Sequence, residues 1–262
     1  MQNNKTYPAP SLLKRLLAIW FRHYRVYTKH LFSNGLPPFV EPLIFLAGIG
    51  LGLGKFIVSM EGLPYIEFLA TGLLVTSSMF TASFECTYGT FIRMEFEEVY
   101  TGILASPLHV SNVINGEILW TGTKGFFFSA VVLLILQLFG IITTPLSLLT
   151  PFVGFLTGLL FGALALFVTS FVHNINYFNF FFTGFLSPMF FFSGVVFPLS
   201  SLPSTIRVLA EFFPLTHAVR LVRALSLSQN EPDWVCSLVF MVLCTLLFAY
   251  LANVRLKKRL LD

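Results

Sequence analysis

The chain has 262 residues, 56% of them hydrophobic and only 11% charged, with a mean hydropathy of +0.81. A soluble domain carries about 25% charged residues, so this composition excludes a soluble fold and specifies an integral membrane protein, which the 32 phenylalanines reinforce. The formal net charge of +4 acquires meaning only once it is placed on a topology.

Long apolar runs, rather than short alternating segments, exclude a barrel and predict membrane helices. Residues 8–33 set Leu12, Leu13, Leu16, Leu17, Ile19 and Trp20 at helical spacing against Lys14, Arg15, Arg22, Arg25 and Lys29. That pattern fits a helix lying in the headgroup plane with its cations toward anionic lipid; the plainer alternative is a solvated helix packed on another subunit. Lys14 and Arg15 also break the apolar core that a signal peptide needs. A first span is expected over 37–56, where Gly48, Gly50, Gly52 and Gly54 form two overlapping G-x-x-x-G pairs suited to close helix approach. Gly54-Lys55 resembles the end of a phosphate loop, but Phe56 follows and no glycine stands five residues earlier, so nucleotide binding is excluded there.

A second span is expected over 65–88. Hydropathy then drops across 92–116, where Glu95, Glu97 and Glu98 crowd together and Ser106-Pro107 marks a turn. This loop is longer than the usual helix–helix connection, which favours a functional element facing the cytoplasm over a plain polar loop. A third span over 117–141 carries Lys124, expected to snorkel to the interface. A fourth, 148–171, has Gly154, Gly158 and Gly162 at every fourth position, a small-residue packing stripe. A fifth runs over 178–197. Pro198, Pro203 and Pro214 then break the stretch 199–228 into short apolar helices, because each removes a backbone donor and clashes with the turn before it. In lipid, such a broken hairpin is tolerated only where protein or a cavity satisfies the freed backbone. A sixth span is expected over 234–254.

The fold class read from this pattern is all-α integral membrane. It comprises six transmembrane helices in a single domain over 1–262, an N-terminal amphipathic interfacial helix, and a re-entrant outer hairpin after the fifth span. Lys5, Lys14, Arg15, Arg22, Arg25, Lys29, Arg93, Lys124, Arg255, Lys257, Lys258 and Arg259 then fall on the terminal side, and Lys55, Arg207, Arg220 and Arg223 opposite. The asymmetry puts both termini and the 92–116 loop in the cytoplasm. Cys86, Cys236 and Cys244 make no C-x-x-C pair, and the five histidines are scattered, so no metal centre or disulfide framework is indicated. No hydrolase or protease motif occurs. Glu41, Glu67, Glu85 and Glu117 read as interfacial, which makes a proton wire across the midplane a poor reading. His217 is expected to cap a helix or to pair with Glu211 or a backbone carbonyl.

Phe191-Phe192-Ser193-Gly194-Val195-Val196-Phe197-Pro198, then Leu202-Pro203, then Pro214-Leu215-Thr216-His217 with Arg220 and Arg223, resemble the type-2 ABC exporter permeases. The stretch from Met79 to Leu108 looks like the branch that holds the nodulation-factor, or lipo-oligosaccharide, export permease. The resemblance implies a coupling helix seated on a cytoplasmic ATPase, formed here by Met94, Glu95, Glu97, Glu98, Val99, Tyr100, Leu104 and Pro107. It implies an outer gate built from Phe192, Ser193, Gly194, Phe197, Pro198, Pro203, Pro214 and His217. Phe181, Phe182, Phe190 and Phe191 offer aromatic surface for a pathway between two copies of the chain, although lipid-facing packing is the plain alternative for each.

The expectation is therefore a non-enzymatic permease in the bacterial inner membrane that moves an amphiphile outward: a lipid-linked glycan, lipo-oligosaccharide, lipid or hydrophobic drug. Its expected partners are a second copy, two ATPase chains that hold ATP and Mg, membrane lipid, and no nucleic acid. A membrane anchor that recruits a cytoplasmic partner and an ion-coupled carrier are the competing readings.

Overall fold

A computed structural model describes residues 10–52, 54, 56–57, 59–227 and 233–261, with the side chains of 37–39, 41, 42 and 51 left aside. Pro8 at the expected start of the interfacial helix, Lys55 of the phosphate-loop look-alike and Ser228 at the expected end of the outer hairpin lie outside the described residues.

The described chain is nearly all helix. Helix α1, Leu12–Lys29, leads into α2, Leu31–Phe45, which continues as a wide π turn over Leu46–Leu51. A two-residue hairpin, Ser59–Met60 against Leu63–Pro64, turns through Glu61 and Gly62 at φ 51° and 78°. Helix α3 then runs from Tyr65 to Phe96. Glu67 in its first turn complements the positive end of the helix dipole. Helix α4, Val99–Leu104, is short, and α5 is Val110–Leu138. His109 and Asn112 form a reciprocal cap on the first turn of α5, with the His109 N–H donating to Asn112 Oδ1 at 3.0 Å. Helix α6 opens at Pro145 with a 3₁₀ turn and ends at Thr169.

Helix α7, residues 178–192, contains a π turn at Phe182–Leu186 just ahead of Pro188. The wider turn makes room for the proline ring, and Ser187 Oγ donates to the Phe182 carbonyl at 3.0 Å. Helices α8, Ser204–Ala210, and α9, Pro214–Ser226, follow, and α10 runs from Trp234 to Leu261. Prolines stand at or just before the first residues of both α8 and α9, where a missing N–H costs nothing.

Helices α3, α5 and α6 form the core, with α10 along α6, α1 across the first half of α5, and α9 against α3 and α10. Four described helices, α3, α5, α6 and α10, are long and apolar enough to cross a membrane. The segments expected as first and fifth spans are shorter helices, α2 with its wide turn and α7, and do not join those four. Other boundaries shift as well. The second helix does not stop at Tyr88 but continues to Phe96, and the third opens at Val110 rather than Glu117, so the 92–116 loop contracts to residues 97–109. Arg93 and Glu95 read as loop and Glu117 as the edge of the third span, yet in the fold each has a partner that lets it sit within a helix. The last helix passes Val254 and reaches Leu261, where Arg259 donates to the Thr169 carbonyl at 2.6 Å.

The expected glycine stripe is the contact between α5 and α6. A Cβ on Gly154 would lie 2.5 Å from Ser129 Cβ, and one on Gly162 would lie 2.1 Å from Thr121 Oγ1. The G-x-x-x-G run behaves differently. Gly48 and Gly52 face open space in the described chain, so no described helix of the same chain uses their smallness.

Candidate functional site

Two neighbouring features stand out, a buried cluster of charges and a cleft beside it. The cluster is built from α1, α3, α4 and α5. Helix α3 widens into π turns at Glu85–Gly89 and again at Ile92–Phe96. In a regular α-helix, residues 85 and 93 would point about 80° apart. The wider turns, with the length of the arginine, bring Arg93 Nη1 within 2.7 Å of Glu85 Oε1. The same guanidinium reaches across to α5, where Nε and Nη2 each lie 3.2 Å from Glu117 Oε1. Thr90 Oγ1 donates to the other Glu117 oxygen at 2.7 Å. Lys124, further along the same face of α5, donates to Glu85 Oε2 at 2.8 Å.

Lys124 therefore does not snorkel. It is 8% exposed, paired to a carboxylate and set over the Tyr27 ring at 5.0 Å. Glu117, 1% exposed, is the most deeply buried charge in the cluster. Isolated ions at such depth would be prohibitive, and the two acids and two bases compensate one another. Helix α1 seals the cluster. Its Ile19 fits where Gly116 has no side chain, and Trp20 Nε1 donates to Thr123 Oγ1 at 2.9 Å. His23 stacks on Trp120 and brings Nε2 to 3.6 Å from Glu117 Oε1. From the other side, the buried phenol of Tyr100 on α4 abuts Glu117; burial, then that carboxylate, raise it well above the usual tyrosine range.

Burial lowers His23 to about 4, against an opposing pull from Glu117, so it is neutral at pH 7. Its folded value lies below the 6.5 of an exposed histidine. Protons therefore favour the unfolded chain between these values, and the contribution to stability is full above pH 6.5 and falls as pH drops toward 4. We predict that the thermal midpoint drops more between pH 7.5 and 5 in the natural chain than in a His23→Phe variant. Equal slopes would remove His23 as the source.

The cleft has a volume of about 550 Å³, within the ~300–1,000 Å³ range of small-molecule sites. Its walls come from α2 (Ser33, Asn34, Phe45), one face of α3 (Leu73, Thr76, Ser77, Phe80, Thr81, Phe84) and Phe190 of α7. Glu85, Gly89 and Lys124 line its end, so the cleft terminates on the ion pair of the cluster. Phe45 and Phe80 both contact Phe190, at ring separations of 5.4 and 6.1 Å. Of the expected pathway phenylalanines, Phe190 lines this cleft. Phe182 packs behind it on Phe84 at 4.4 Å, Phe181 stacks on Phe185, and Phe191 stands exposed beside Phe190.

The expected coupling residues straddle the break between α3 and α4. Met94 and Tyr100 are buried, Val99 and Leu104 half-buried, and Glu95, Glu97, Glu98 and Pro107 exposed. Glu95 is held by Arg259 at 2.8 Å. Glu97 and Glu98 are exposed at the break, and Glu98 adopts φ 49°, a left-handed conformation costly for a residue with a Cβ.

The expected gate residues gather at the other end of the molecule. Gly194 takes φ 80° directly after α7, and its carbonyl accepts from Arg223 at 2.6 Å. Phe192 and Phe197 meet edge to face at 6.4 Å, Ser193 is buried, and Pro198 caps a 3₁₀ turn over Leu199–Ser201. Pro203 precedes α8 and Pro214 starts α9. His217 Nε2 meets the Glu211 carbonyl at 2.9 Å and Nδ1 meets Ser237 Oγ at 3.1 Å, tying α9 to α10; Glu211 also pairs with Arg220. Sequence reading missed the weight of Arg223. Its guanidinium also lies 3.8 Å above the Phe68 ring of α3 and is 7% exposed. Arg223→Met is expected to cost about 1.5–3 kcal/mol, the worth of charged hydrogen bonds, read as a lower thermal midpoint and faster proteolysis between residues 193 and 203.

The described residues thus form a helical bundle with four helices long and apolar enough to cross a membrane, a buried charge cluster and a cleft that ends on it. The ABC-2 type transporter family matches the chain over residues 14–227, and the chain belongs to that family: it is the multi-pass permease subunit of an ABC exporter, a transport rather than a catalytic subunit. Permeases of this family associate with an ABC ATPase. Within the family the chain falls in the nodulation export branch. It is 35% identical to Nodulation protein J of Sinorhizobium fredii over 213 residues, 81% of each chain. It is also 35% identical to Nodulation protein J of Rhizobium leguminosarum bv. trifolii over 249 residues, 94% of each chain. To the Inner membrane transport permease YadH of Escherichia coli it is 22% identical over 235 residues, 90% of this chain and 91% of that one.

Proposed function

We propose that two copies of this chain form an exporter that moves an amphiphile with a polyhydroxylated head outward across the bacterial inner membrane, powered by two ATPase chains that hold ATP and Mg. The observation that carries this reading is the cleft: Phe45, Phe80, Phe84 and Phe190 suit a hydrocarbon chain, while Thr76, Ser77, Thr81, Ser33 and Asn34 among them suit a sugar. In this reading α2 and α7 complete six spans, and α8 with α9 is the outer re-entrant hairpin carrying the gate. Helix α1 lies on the membrane surface. Exposed Leu13, Leu17 and Phe21 beside Lys14, Arg22 and Arg25 support that placement. Both termini and α4 are cytoplasmic by the positive-inside asymmetry, and α4 with Glu97 and Glu98 seats on the ATPase. Closure of the ATPases switches the pathway between inward- and outward-facing states.

The test is co-purification with an ABC ATPase from the native membrane, and uptake of dodecyl maltoside into inverted vesicles. The natural complex is expected to assemble and to transport the glycolipid-like probe only with ATP. Reversing Glu97 and Glu98 to lysine is expected to weaken assembly by about tenfold or more. A chain that binds no ATPase, or transport that follows a proton gradient instead, overturns the reading.

A further inference from the structure

We propose that Arg93 is the positioning residue through which α4 and the cleft move together; this rests on the exporter reading above. The contacts form one continuous path. Tyr100, on the short helix after the break, abuts Glu117 of α5. Glu117 holds Arg93 at 3.2 Å, Arg93 holds Glu85 at 2.7 Å, and Glu85 holds Lys124 at 2.8 Å. Glu85 and Lys124 line the end of the cleft. A load applied to α4 therefore reaches the cleft wall through three ion pairs.

The geometry gives this path the means to switch as well as to hold. Arg93 divides one guanidinium between Glu85 on its own helix and Glu117 on α5, and Glu85 divides one carboxylate between Arg93 and Lys124. A small slide of α3 along α5 trades one of these bonds against another, which makes the cluster a set of alternatives rather than a single clamp. The backbone of α3 is prepared for such a slide. Glu85, Thr90 and Arg93 sit on or between its two π turns, where an extra residue per turn can be passed along the helix. Glu98 at φ 49° supplies a strained pivot between α3 and α4. Neutral His23 touches Glu117 without adding a competing charge.

The experiment uses the whole complex with its ATPase in lipid vesicles. Thr81→Cys in a Cys236→Ser, Cys244→Ser chain reports on the cleft through its rate of labelling by a maleimide, compared without nucleotide and after trapping with ATP and vanadate. The reporter chain is expected to change its labelling rate by about fivefold or more. Arg93→Lys keeps the charge and loses the fork; with it the change is expected to shrink to within about twofold, while assembly and basal ATP hydrolysis persist. Glu117→Gln, which turns the ion pair to α5 into a neutral hydrogen bond and leaves Glu85 as the one carboxylate on the Arg93 guanidinium, is expected to behave the same way. A labelling response in both variants equal to that of the reporter chain overturns the proposal. So does a loss of response that always accompanies loss of assembly and a lowered thermal midpoint, since that is the mark of a scaffold. A reporter complex that assembles no ATPase or shows no nucleotide response overturns the exporter reading itself, and this inference with it.

Discussion

Replacing Arg93 with leucine is expected to destabilise the folded chain by about 3–5 kcal/mol, the cost of leaving a buried charge without its partner. Glu85 keeps Lys124 at 2.8 Å, so the orphan is Glu117, 1% exposed and left with the Thr90 hydroxyl, the Tyr100 phenol and a neutral histidine. The remedy available to the fold is a proton on His23. Arg93 holds that imidazole down and Glu117 pulls it up, so removing the arginine raises it from about 4 toward its ordinary value. Two measurements check this. Denaturation of the purified chain should show the loss, and the steep part of its stability–pH curve should move upward. A double variant, Arg93→Leu with Glu117→Leu, should recover about 2 kcal/mol relative to the sum of the singles, because both charges then leave together. Additive single effects would mean that the two residues do not share an environment.

Gly158→Ala and Gly184→Ala should move stability in opposite directions. A Cβ on Gly158 lies 2.4 Å from the Thr121 carbonyl oxygen and 3.0 Å from Gly122 Cα, both backbone atoms of α5. Neither can rotate away, so α5 and α6 must part, at a cost of about 2–3 kcal/mol. Gly125 meets the Gly154 carbonyl in the same way, so the whole seam shares the strain. At Gly184 a Cβ meets nothing within 4 Å, and alanine there should stabilise by about 0.5–1 kcal/mol through lost backbone freedom in the unfolded chain. Thermal midpoints of the two variants in one detergent decide the matter. A destabilised Gly184→Ala, or a neutral Gly158→Ala, would mean that the seam is not where the chain is tightest.

Much of the site was invisible to reasoning along the chain because its parts lie far apart in it. Glu85 and Lys124 lie 39 residues apart on either side of the break that holds α4, and each alone reads as a charge near the end of an apolar run. Spacing could have raised one flag: Glu117 and Lys124 stand two turns apart on one helical face, and a charged pair inside an apolar window asks for partners. The extent of α3 was hidden for the same reason. Arg93-Met94-Glu95 looks like loop by composition, yet Arg93 turns inward to two carboxylates and Glu95 is taken by Arg259. Hydropathy assumes that a charge faces water, and a paired charge does not.

Composition and period were enough to settle the class of fold. An apolar chain with long runs must be a helical membrane protein, because lipid offers backbone groups no partner outside the helix. Gly154, Gly158 and Gly162, four apart, mark a helix seam, because only glycine lets two backbones touch. Prolines 198, 203 and 214 must interrupt helices, because each lacks a donor. The ordered motifs in 191–223 carried the family. Tertiary structure alone decided where the charges go and what they do together. Folding brings Arg93 between Glu85 and Glu117, closes one end of a cleft with an ion pair, and turns residues that read as interfacial into a buried cluster. The physical reason is that pairing energy depends on separations of about 3 Å, and a linear order that spreads the partners across separate helices contains no such distance.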